Sequence, residues 1–393
     1  MTPVSVPRGD ALALTRALVA VDSRNPALVV DAPGEQAVAL RLAEILTSWG
    51  LDVTLMDAGP GRPNVVARAK HPATHRSTNR SLLFNGHLDT VGVEGMMHAP
   101  WDAAIRDGRL YGRGATDMKA GVAAMCAAAV HALDAGLAGE VIITAVADEE
   151  YGSIGTRAII DAGIRADAAI VTEPTRLAIV PAHRGFAWAD LTVHGRAAHG
   201  SRYDIGVDAN TLAALVMAEV EQHQHTVLTT RTHPLLGRAS VHAATIRGGL
   251  GLSTYSDKCV VSYERRTLPG ESAESFAAEL KGACDRVRAV RPELRAEIAV
   301  GFSQGPNDIS VEHPIVRALD AALVAEQRPA PIEGLACWTD AALLSAAGIP
   351  AICFGPGDIA LAHAAEEYVE VEEIAIATRV LTRLALDWCG VAR

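Results

Sequence analysis

Aromatic residues are scarce in this chain. Only 4% of its residues are Phe, Trp or Tyr, although 49% are hydrophobic, so the core must be built mainly from Ala, Val, Leu and Ile. Single hydrophobic cores stop growing at about 250–300 residues. A chain of 393 residues is therefore expected to form two domains.

Basic residues are outnumbered by acidic ones. The chain has 35 Lys and Arg against 46 Asp and Glu, which gives a formal net charge of −11. Nucleic acids and anionic membrane surfaces are bound through a basic protein face. Neither is therefore an expected partner.

The sequence shows no long apolar run, no paired cysteines and no recognisable leader. Residues 120–135 come nearest to a membrane span, but they are too few and too rich in Ala. The six cysteines are scattered without a CxxC pair, which indicates a reducing compartment and no disulfide bonds. The opening residues are too interrupted by Pro and charge for a signal peptide. We expect a soluble, cytoplasmic protein.

Strands and helices alternate in the first part of the chain. Short, continuous apolar runs predict strands that are covered on both faces, at 64–70, 81–85, 141–147 and 168–172. Apolar spacing predicts helices at 10–21, 35–49 and 119–135. This alternation is typical of an α/β fold with a doubly wound, mixed sheet. Residues 68–80 are expected to form an exposed hairpin loop.

A different order of elements begins near residue 183. It predicts strand, helix, two strands, helix and strand, at 186–194, 206–223, 239–247, 258–265, 271–290 and 295–302. This βαββαβ order is the ferredoxin-like arrangement. After residue 305 the α/β pattern returns, with helices from 311, 340 and 371 and a strand at 350–354. We expect one domain formed by 1–183 and 304–393, with a second domain, 184–303, inserted into it.

Histidines and acids follow the predicted strands of the first domain. Each cluster lies just past a strand end: His87 with Asp89, Asp148 with Glu149 and Glu150, Glu173, and, a few residues further on, His363. Open α/β sheets bind ligands outside the carboxyl ends of their strands. Asp117 lies in a Gly-rich loop just before a helix. We therefore expect these side chains to meet.

Imidazole and carboxylate groups together suit zinc, cobalt or manganese. One ion needs only about three protein ligands, so five good ligands imply two ions that share a carboxylate, roughly 3.5–4 Å apart. Taken singly, each residue is more often an ordinary polar loop residue or a solvated helix start. Only their convergence at successive strand ends favours a metal centre. The loop LYGRGATDMKAG lacks GxGxxG and the Walker pattern, so no nucleotide cofactor is expected.

Several motifs resemble the M20 metallopeptidase family: GHLDTV, GRGATDMKAG, ADEEYGSIGT, TEP and a late His before EYV. The family includes acetylornithine deacetylase, succinyl-diaminopimelate desuccinylase, aminoacylase and carboxypeptidase G. The resemblance covers nearly the whole chain. It implies a catalytic domain and an inserted lid that also forms the interface of a homodimer.

The resemblance implies five metal ligands. His87 and Glu173 would bind one ion, Glu150 and His363 the other, and Asp117 would bridge them. It also implies a cis peptide bond between Asp117 and Met118.

Two more residues of the first domain resemble catalytic residues of the family. Asp89 would orient the His87 ring, because a carboxylate on the second ring nitrogen fixes the tautomer. Glu149 would be the general base: a divalent cation lowers the pKa of bound water towards ~7, and Glu149 would take its proton and pass it to the leaving amine.

Two residues of the inserted domain complete the predicted site. HGRAAHGS places His199 in a loop, and similar enzymes use such a His to polarise the carbonyl, often in the partner's site; an exposed loop His is the alternative. YERRTLPGES resembles D-x-R-x-x-P-G, so Arg266 is expected to bind a substrate carboxylate. A surface ion pair is the alternative.

One segment departs from the family pattern GGxxxNxxPxxC. Ser253 stands in place of the Asn and Ser256 in place of the Pro. Since the Asn normally helps to hold substrate, this departure indicates an atypical substrate.

We expect a di-metal amidohydrolase that removes an acyl group, most simply acetyl, from an amino acid, with zinc as the metal and cobalt or manganese as alternatives. A dipeptidase or carboxypeptidase of the same family is the second interpretation. A non-catalytic binding protein on the same fold is the third. That protein would be expected to lack Glu149 or a ligand, and none is missing.

Overall fold

The computed structural model describes residues 6–70 and 80–392. The chain divides into two compact units. The first unit comprises Met1–Pro181, Ile309–Glu333 and Thr339–Arg393, and the second comprises Ala182–Asp308 and Gly334–Trp338. Within the described residues, none of the helices is long and apolar enough to cross a membrane.

The α-helices of the described residues are α1 (Ala11–Val19), α2 (Gln36–Ser48), α3 (Ala120–Asp134), α4 (Ile154–Asp161), α5 (Ala209–Thr226), α6 (Ala273–Val290), α7 (Pro314–Ala325), α8 (Ala341–Ala346) and α9 (Val371–Cys389).

The strands of the described residues are β1 (Asp52–Asp57), β2 (Pro63–Lys70), β3 (Ser81–His87), β4 (Ile105–Arg106), β5 (Arg109–Tyr111), β6 (Glu140–Val146), β7 (Ala168–Val171), β8 (Ile179–His183), β9 (Gly185–His194), β10 (Thr232–His233), β11 (Gly237–Arg238), β12 (Ser240–Gly248), β13 (Lys258–Thr267), β14 (Arg295–Gln304), β15 (Asn307–Asp308), β16 (Ile332–Leu335), β17 (Ala351–Cys353) and β18 (Tyr368–Glu370).

The main sheet of the first unit is mixed, as predicted. Its strand order is β1-β2-β6-β3-β7-β17-β8, and β16 also pairs with β8. The four strands β6, β3, β7 and β17 run parallel to one another. The strands β1, β2 and β8 are antiparallel to their neighbours. A small sheet, β18-β5-β4, lies in the same unit.

The expected hairpin at 68–80 is wrong. Strand β6 lies between β2 and β3, so these two strands do not pair. Both runs are continuously apolar, and such runs carry no information about strand order. Residues 71–79 of the expected loop lie outside the described residues.

Side chains of β6 enter cores on both faces of the sheet. Val141, Ile143 and Ala145 belong to the large core, to which α1, α3 and α9 also contribute. Ile142 and Val146 pack instead with Ile159 of α4. Successive side chains of a strand point to opposite faces, so a continuously apolar strand requires cover on both faces. The doubly wound arrangement provides this cover.

The second unit contains the predicted ferredoxin-like βαββαβ element. Its sheet has the order β12-β13-β9-β14, with every neighbouring pair antiparallel. Helices α5 and α6 cover one face, where Ala187, Leu191 and Val193 of β9 are fully buried. The alternate residues of β9 are partly or largely exposed. One face of this sheet is therefore left without helices of its own unit.

Candidate active site

The predicted histidines and acids lie at one edge of the main sheet. His87 ends β3, Glu149 and Glu150 follow β6, Glu173 follows β7, and His363 follows β17. These four strands are parallel neighbours in the order β6-β3-β7-β17. Their carboxyl ends therefore meet at the same edge, as an open α/β sheet requires for a ligand crevice.

Two groups of side chains at this edge could hold a metal ion. His87, Asp117 and Glu173 have ligand atoms within 4.8 Å of one another, and so do Asp117, Glu150 and His363. Asp117 belongs to both groups. Its Oδ1 lies 3.0 Å from His87 Nε2, and its Oδ2 lies 3.4 Å from His363 Nε2. Each oxygen of this carboxylate thus points towards a different group.

The His87 ring is held in a defined orientation. Its Nδ1 lies 2.9 Å from the main-chain carbonyl of Asp89, which can only accept a hydrogen bond. Nδ1 therefore carries a proton, and Nε2 is the ring nitrogen that faces Asp117. The Asp89 carboxylate lies farther from Nδ1, at 3.6 Å. The main chain of Asp89, rather than its carboxylate, is the close partner of the ring.

The Asp89 carboxylate fixes the turn that carries the glutamate pair. It accepts the main-chain N–H groups of Glu149 and Glu150, each at 3.1 Å. Asn25 donates to the same carboxylate at 2.8 Å. Burial raises the pKa of Asp89 to about 7, against the lowering effect of His87.

Further charged residues hold the turn that carries Glu149 and Glu150. Asn25 also donates to Asp148 at 3.0 Å. Arg62 pairs with Asp148 at 2.7 Å and with Glu35, whose carboxylate accepts the Asp148 N–H at 3.2 Å. The sequence offered no local signal for Asn25, Glu35 or Arg62, because they lie far from the motifs along the chain.

The loop that carries Asp117 is held by Glu367. This buried carboxylate accepts the Arg113 guanidinium at 2.7 Å. It also accepts three main-chain N–H groups, those of Gly114, Thr116 and Asp117, at 3.0–3.2 Å. Glu367 lies in the EEYV segment that contributes to the motif, but sequence reasoning singled out only His363. The peptide bond between Asp117 and Met118 is cis, as predicted.

The electrostatics of the cluster suit divalent cations. Burial, with the charges of neighbouring carboxylates, raises the pKa of Glu149 and of Glu173 well above the ordinary value. Burial also acts to raise the pKa of Asp117, but hydrogen bonds from His363 and His87 outweigh it, so the pKa of Asp117 is lowered. So many carboxylates are costly to bury without compensating positive charge. A donor set of imidazole and carboxylate groups at this spacing fits two borderline or hard cations.

Asp340 is a further buried acid that the sequence did not single out as functional. Apolar spacing predicted a helix from this residue, and α8 begins directly after it. Its carboxylate does not cap that helix; it accepts the Thr156 hydroxyl at 2.6 Å. Burial raises its pKa to about 6. Its charge contributes to the raised pKa of Glu149.

The two remaining predicted residues lie in the second unit, whereas both ligand groups lie wholly in the first. His199 is on an exposed loop, with Nδ1 2.8 Å from the Ser201 hydroxyl. Arg266 is on β13 and pairs with Glu264 at 2.6 Å. Of the two replaced positions, Ser253 accepts the Gly200 N–H at 2.7 Å, and buried Ser256 donates to the Lys258 carbonyl at 2.8 Å.

Carboxylate and imidazole side chains that could hold two metal ions, at the strand ends of a doubly wound sheet, are typical of the class of metal-dependent hydrolases. Residues 83–387 match the model of peptidase family M20/M25/M40. The chain belongs to this family, which confirms the resemblance seen in the motifs. The protein is a metal-dependent hydrolase that acts on amide bonds of small substrates.

Similar proteins carry several activities. An acetylornithine deacetylase of Myxococcus xanthus is 32% identical over 343 residues, which are 86% of this chain and 87% of that protein. An N-formyl-4-amino-5-aminomethyl-2-methylpyrimidine deformylase of Bacillus subtilis is 28% identical over 97% of this chain and 95% of its own length. The crystal structure of an aminopeptidase of Bacillus cereus covers 97% of this chain and 98% of its own, with a TM-score of 0.79 and 21% identity.

Proposed function

We propose that this protein is a two-metal amidohydrolase that cleaves the amide of an N-acyl amino acid, most simply an N-acetyl amino acid. The observation that carries the proposal is the sharing of Asp117 between two groups of possible ligands, with a partly buried carboxylate, Glu149, that belongs to neither. Hydrolysis of an unactivated amide by two metal ions requires two sets of metal ligands and a general base that does not bind metal.

The residues of each group have distinct parts in the proposal. His87 and Glu173 hold one ion, Glu150 and His363 hold the other, and Asp117 holds both. Two divalent cations bound there would lower the pKa of a water molecule and polarise the amide carbonyl. Zn²⁺ is the proposed metal, with Co²⁺ and Mn²⁺ as alternatives, because all three accept imidazole and carboxylate ligands.

Glu149 is proposed to move the proton. Its main-chain N–H is anchored on Asp89, so the side chain starts from a fixed position. A carboxylate held in this way can take a proton from the attacking water at Oε and deliver it to the leaving nitrogen. Asp89 is proposed to support both steps, since it orients the His87 ring and the glutamate turn together.

Removal of a small acyl group is supported by the relatives. The deacetylase and the deformylase both carry names that describe loss of a one- or two-carbon acyl group from nitrogen. Similarity to the aminopeptidase is a likeness of fold and favours no particular substrate. Dipeptide hydrolysis is therefore the alternative activity that a substrate screen must distinguish from removal of an acyl group.

The second unit is proposed to be a lid and a homodimer interface, within the expected bounds 184–303. Its residue Arg266 would bind the substrate carboxylate. His199 would polarise the carbonyl in the partner subunit's site. In support, the loops near His199 expose large apolar side chains: Tyr203 is 84% exposed and Leu250 78%. Such side chains are usually covered by a partner.

The proposal is tested by a substrate screen on metal-reconstituted protein. N-acetyl amino acids, N-formyl amines and dipeptides are compared by kcat/KM, with Glu149→Gln as the inactive control. We expect the N-acyl amino acids to be the best class. A dipeptide hydrolysed at least tenfold better than every acylated amino acid would overturn the substrate assignment.

The role of His199 has its own test. Inactive His199→Ala and inactive Glu149→Ala proteins are mixed under conditions that exchange subunits. Recovery of part of the activity is expected, because some sites then combine an intact Glu149 with the partner's intact histidine. Verified exchange without recovery would contradict action across subunits.

A further inference from the structure

A chain of buried hydrogen bonds holds the start of helix α4, directly after the turn that carries Glu149 and Glu150. Its members are Asn85 on β3, Thr156 in the first turn of α4, and Asp340, which directly precedes α8. All three side chains are at most 1% exposed. Asn85 Nδ2 lies 3.1 Å from Thr156 Oγ1, which lies 2.6 Å from Asp340 Oδ2. The whole chain of bonds lies within the first unit.

The direction of these hydrogen bonds follows from the groups involved. The Thr144 hydroxyl donates its one proton to the Phe84 carbonyl at 3.2 Å, so it accepts from Asn85 Nδ2 at 3.1 Å. The same amide nitrogen donates to Thr156, which therefore donates its own proton to Asp340. The Asp340 carboxylate is the final acceptor, and Thr156 cannot form this bond with a side chain that only donates or is apolar.

The contact between Thr156 and Asp340 has the length of a strong hydrogen bond. A hydroxyl that donates to an ionised carboxylate lies about 2.5–2.7 Å from it, closer than a neutral acceptor would. The observed distance is 2.6 Å. Burial strengthens such a bond further, because water does not compete for either partner. Asp340 therefore holds the Thr156 hydroxyl firmly.

The two ends of the glutamate turn are in close contact beside this chain. Gly155 precedes Thr156, and its N–H donates to the Ala147 carbonyl at 3.0 Å. Asn64 accepts the Ala147 N–H at 3.0 Å and donates to the Gly155 carbonyl at 2.9 Å. A Cβ atom at Gly155 would lie 2.5 Å from the main chain of Ala147. The path of the turn therefore depends on where α4 begins.

Glu149 depends on the turn more than Glu150 does. Glu150 contacts His363 Nε2 at 3.0 Å and belongs to a group of possible metal ligands. Glu149 belongs to neither group, and the bond from its main-chain N–H to Asp89 fixes its backbone. A displacement of about 1 Å at a reacting group can lower the rate roughly 10²-fold. A small shift of the turn should therefore affect Glu149 first.

We propose, building on the function proposed above, that Asp340 is a positioning residue for the general base. It holds the Thr156 hydroxyl, and through it the start of α4, so that Glu149 stays where it can take a proton from the attacking water. Asp340 contacts neither the metal ions nor the substrate in this arrangement. A purely structural role would instead stabilise the fold and leave the kcat of the folded enzyme unchanged.

The first test is made at Thr156, in full-length, metal-loaded protein with an N-acetyl amino acid as substrate. Thr156→Val keeps the shape of the side chain but removes the hydroxyl. It should lower kcat roughly tenfold and change KM and metal content less than about twofold, because the turn shifts while the ligands stay bound. Thr156→Ser restores the hydroxyl and should recover most of the lost kcat. Wild-type kcat in Thr156→Val would overturn the proposal.

The second test asks whether Asp340 acts through Thr156. Asp340→Ala should lower kcat as Thr156→Val does, whereas Asp340→Asn keeps an oxygen that can accept the hydroxyl proton and should lose less. Because both residues belong to one chain of hydrogen bonds, the double variant Asp340→Ala with Thr156→Val should lose no more kcat than either single variant. Losses that multiply would show that Asp340 acts independently and would overturn the proposal.

A matched control removes a buried hydroxyl elsewhere in the first unit. Thr378 is 5% exposed, and its hydroxyl donates to the Ile374 carbonyl at 2.8 Å within α9. Thr378→Val should leave kcat unchanged, whatever its effect on the melting temperature. A loss of kcat equal to that of Thr156→Val would show that any buried hydroxyl matters, which contradicts a specific role of the chain.

Hydrogen exchange keeps this proposal distinct from the proposed function, because it needs no substrate. The main-chain N–H groups of Glu149 and Glu150 are bonded to Asp89 and should exchange slowly in the wild-type protein. Thr156→Val should speed their exchange roughly tenfold, as local opening becomes easier, and Thr378→Val should not. If no N-acyl amino acid is hydrolysed, the proposed function fails while this measurement still decides on the turn. Unchanged exchange in Thr156→Val would overturn the positioning role.

Discussion

Glu149 and Glu150 are neighbours in the chain but differ in their surroundings. Glu150 contacts His363 Nε2 at 3.0 Å and belongs to a ligand group, whereas Glu149 belongs to none. Both are anchored through their main-chain N–H groups on Asp89. Replacing either side chain therefore leaves the turn itself intact, so their parts can be separated.

Glu149→Gln is predicted to lower kcat by roughly 10²–10⁴-fold, the usual contribution of a general base, with metal content unchanged. Glu150→Gln is predicted to reduce metal content, because an amide is a weaker ligand than a carboxylate. Metal analysis of the purified variants, together with kcat, measures both effects. Identical behaviour of the two variants would contradict the division of roles.

His183, at the end of β8, links folding to pH. Its ring is fully buried, its Nδ1 donates to the Arg184 carbonyl at 3.0 Å, and its Nε2 has no hydrogen-bond partner among the residues that the structure describes. Burial lowers its pKa to about 4. A histidine with a lowered pKa contributes stability that is fully present above its unfolded pKa near 6.5 and is lost as the pH falls towards 4.

The predicted size of this loss is about 3 kcal/mol between pH 7 and pH 4. His183→Leu removes the titrating ring, so its free energy of unfolding should fall less over the same interval, even if the variant is less stable at pH 7. Denaturant unfolding at several pH values measures how the free energy of unfolding changes with pH in the wild-type protein and in the variant. Parallel curves for the two proteins would show that His183 does not titrate on unfolding.

Helix α3 lies directly against the candidate metal site. Nearly all its residues are buried, most of them Ala, and it begins directly after the loop of Asp117. A Cβ atom at Gly121 would lie 1.9 Å from the Thr172 carbonyl oxygen. Thr172 immediately precedes Glu173, so the approach of α3 to the end of β7 fixes the proposed ligands Asp117 and Glu173 relative to each other.

Gly121→Ala is predicted to destabilise the protein by about 3 kcal/mol, because backbone atoms must move apart, and to weaken metal binding. Gly282→Ala is the matched control in helix α6, where the nearest atom to a new Cβ is the end of the Arg286 side chain at 3.4 Å. That change should stabilise by up to about 1 kcal/mol. Thermal unfolding and metal titration measure both; equal effects would exclude the close contact as the cause.

The long elements were predictable because their apolar periodicity is strong. Strand β6, helix α3 and the βαββαβ unit all occur within a few residues of their predicted bounds. Helix α4 and the two-residue strands β4, β10 and β11 were not predicted, because such short segments carry too little periodicity. Their conformation depends on pairing or packing with segments that are distant in the chain.

Residues of the candidate site also divide into those that the sequence marks locally and those that it does not. The proposed ligands could be singled out from the sequence, since strand ends and motifs mark them locally. Asn25, Glu35, Arg62 and Glu367, which hold the ligand-bearing turns, could not be identified. Their hydrogen bonds span up to 254 positions along the chain, as between Glu367 and Arg113, and no local pattern reports such a contact.

For the whole molecule, metal should contribute both activity and stability. The buried carboxylates at the site repel one another, and a bound divalent cation removes that repulsion. Dialysis against a chelator is predicted to abolish hydrolysis and to lower the melting temperature. Zn²⁺ or Co²⁺ at about 100 times its dissociation constant should restore roughly 2.7 kcal/mol per site. Full activity in verified metal-free protein would contradict the two-metal proposal.

The insertion of residues 182–308 between Glu173 and His363 has a consequence for biosynthesis. A ribosome delivers about 5–20 residues per second, and domains fold as they emerge. Nearly all of the second unit precedes residue 309, whereas the first unit lacks His363, Glu367 and helix α9 until those residues have been translated. The insert can therefore fold while its host is still incomplete. If His363 is a ligand of the proposed second ion, that ion can bind only after residue 363 has been translated, and a nascent chain stalled before it should bind at most one ion.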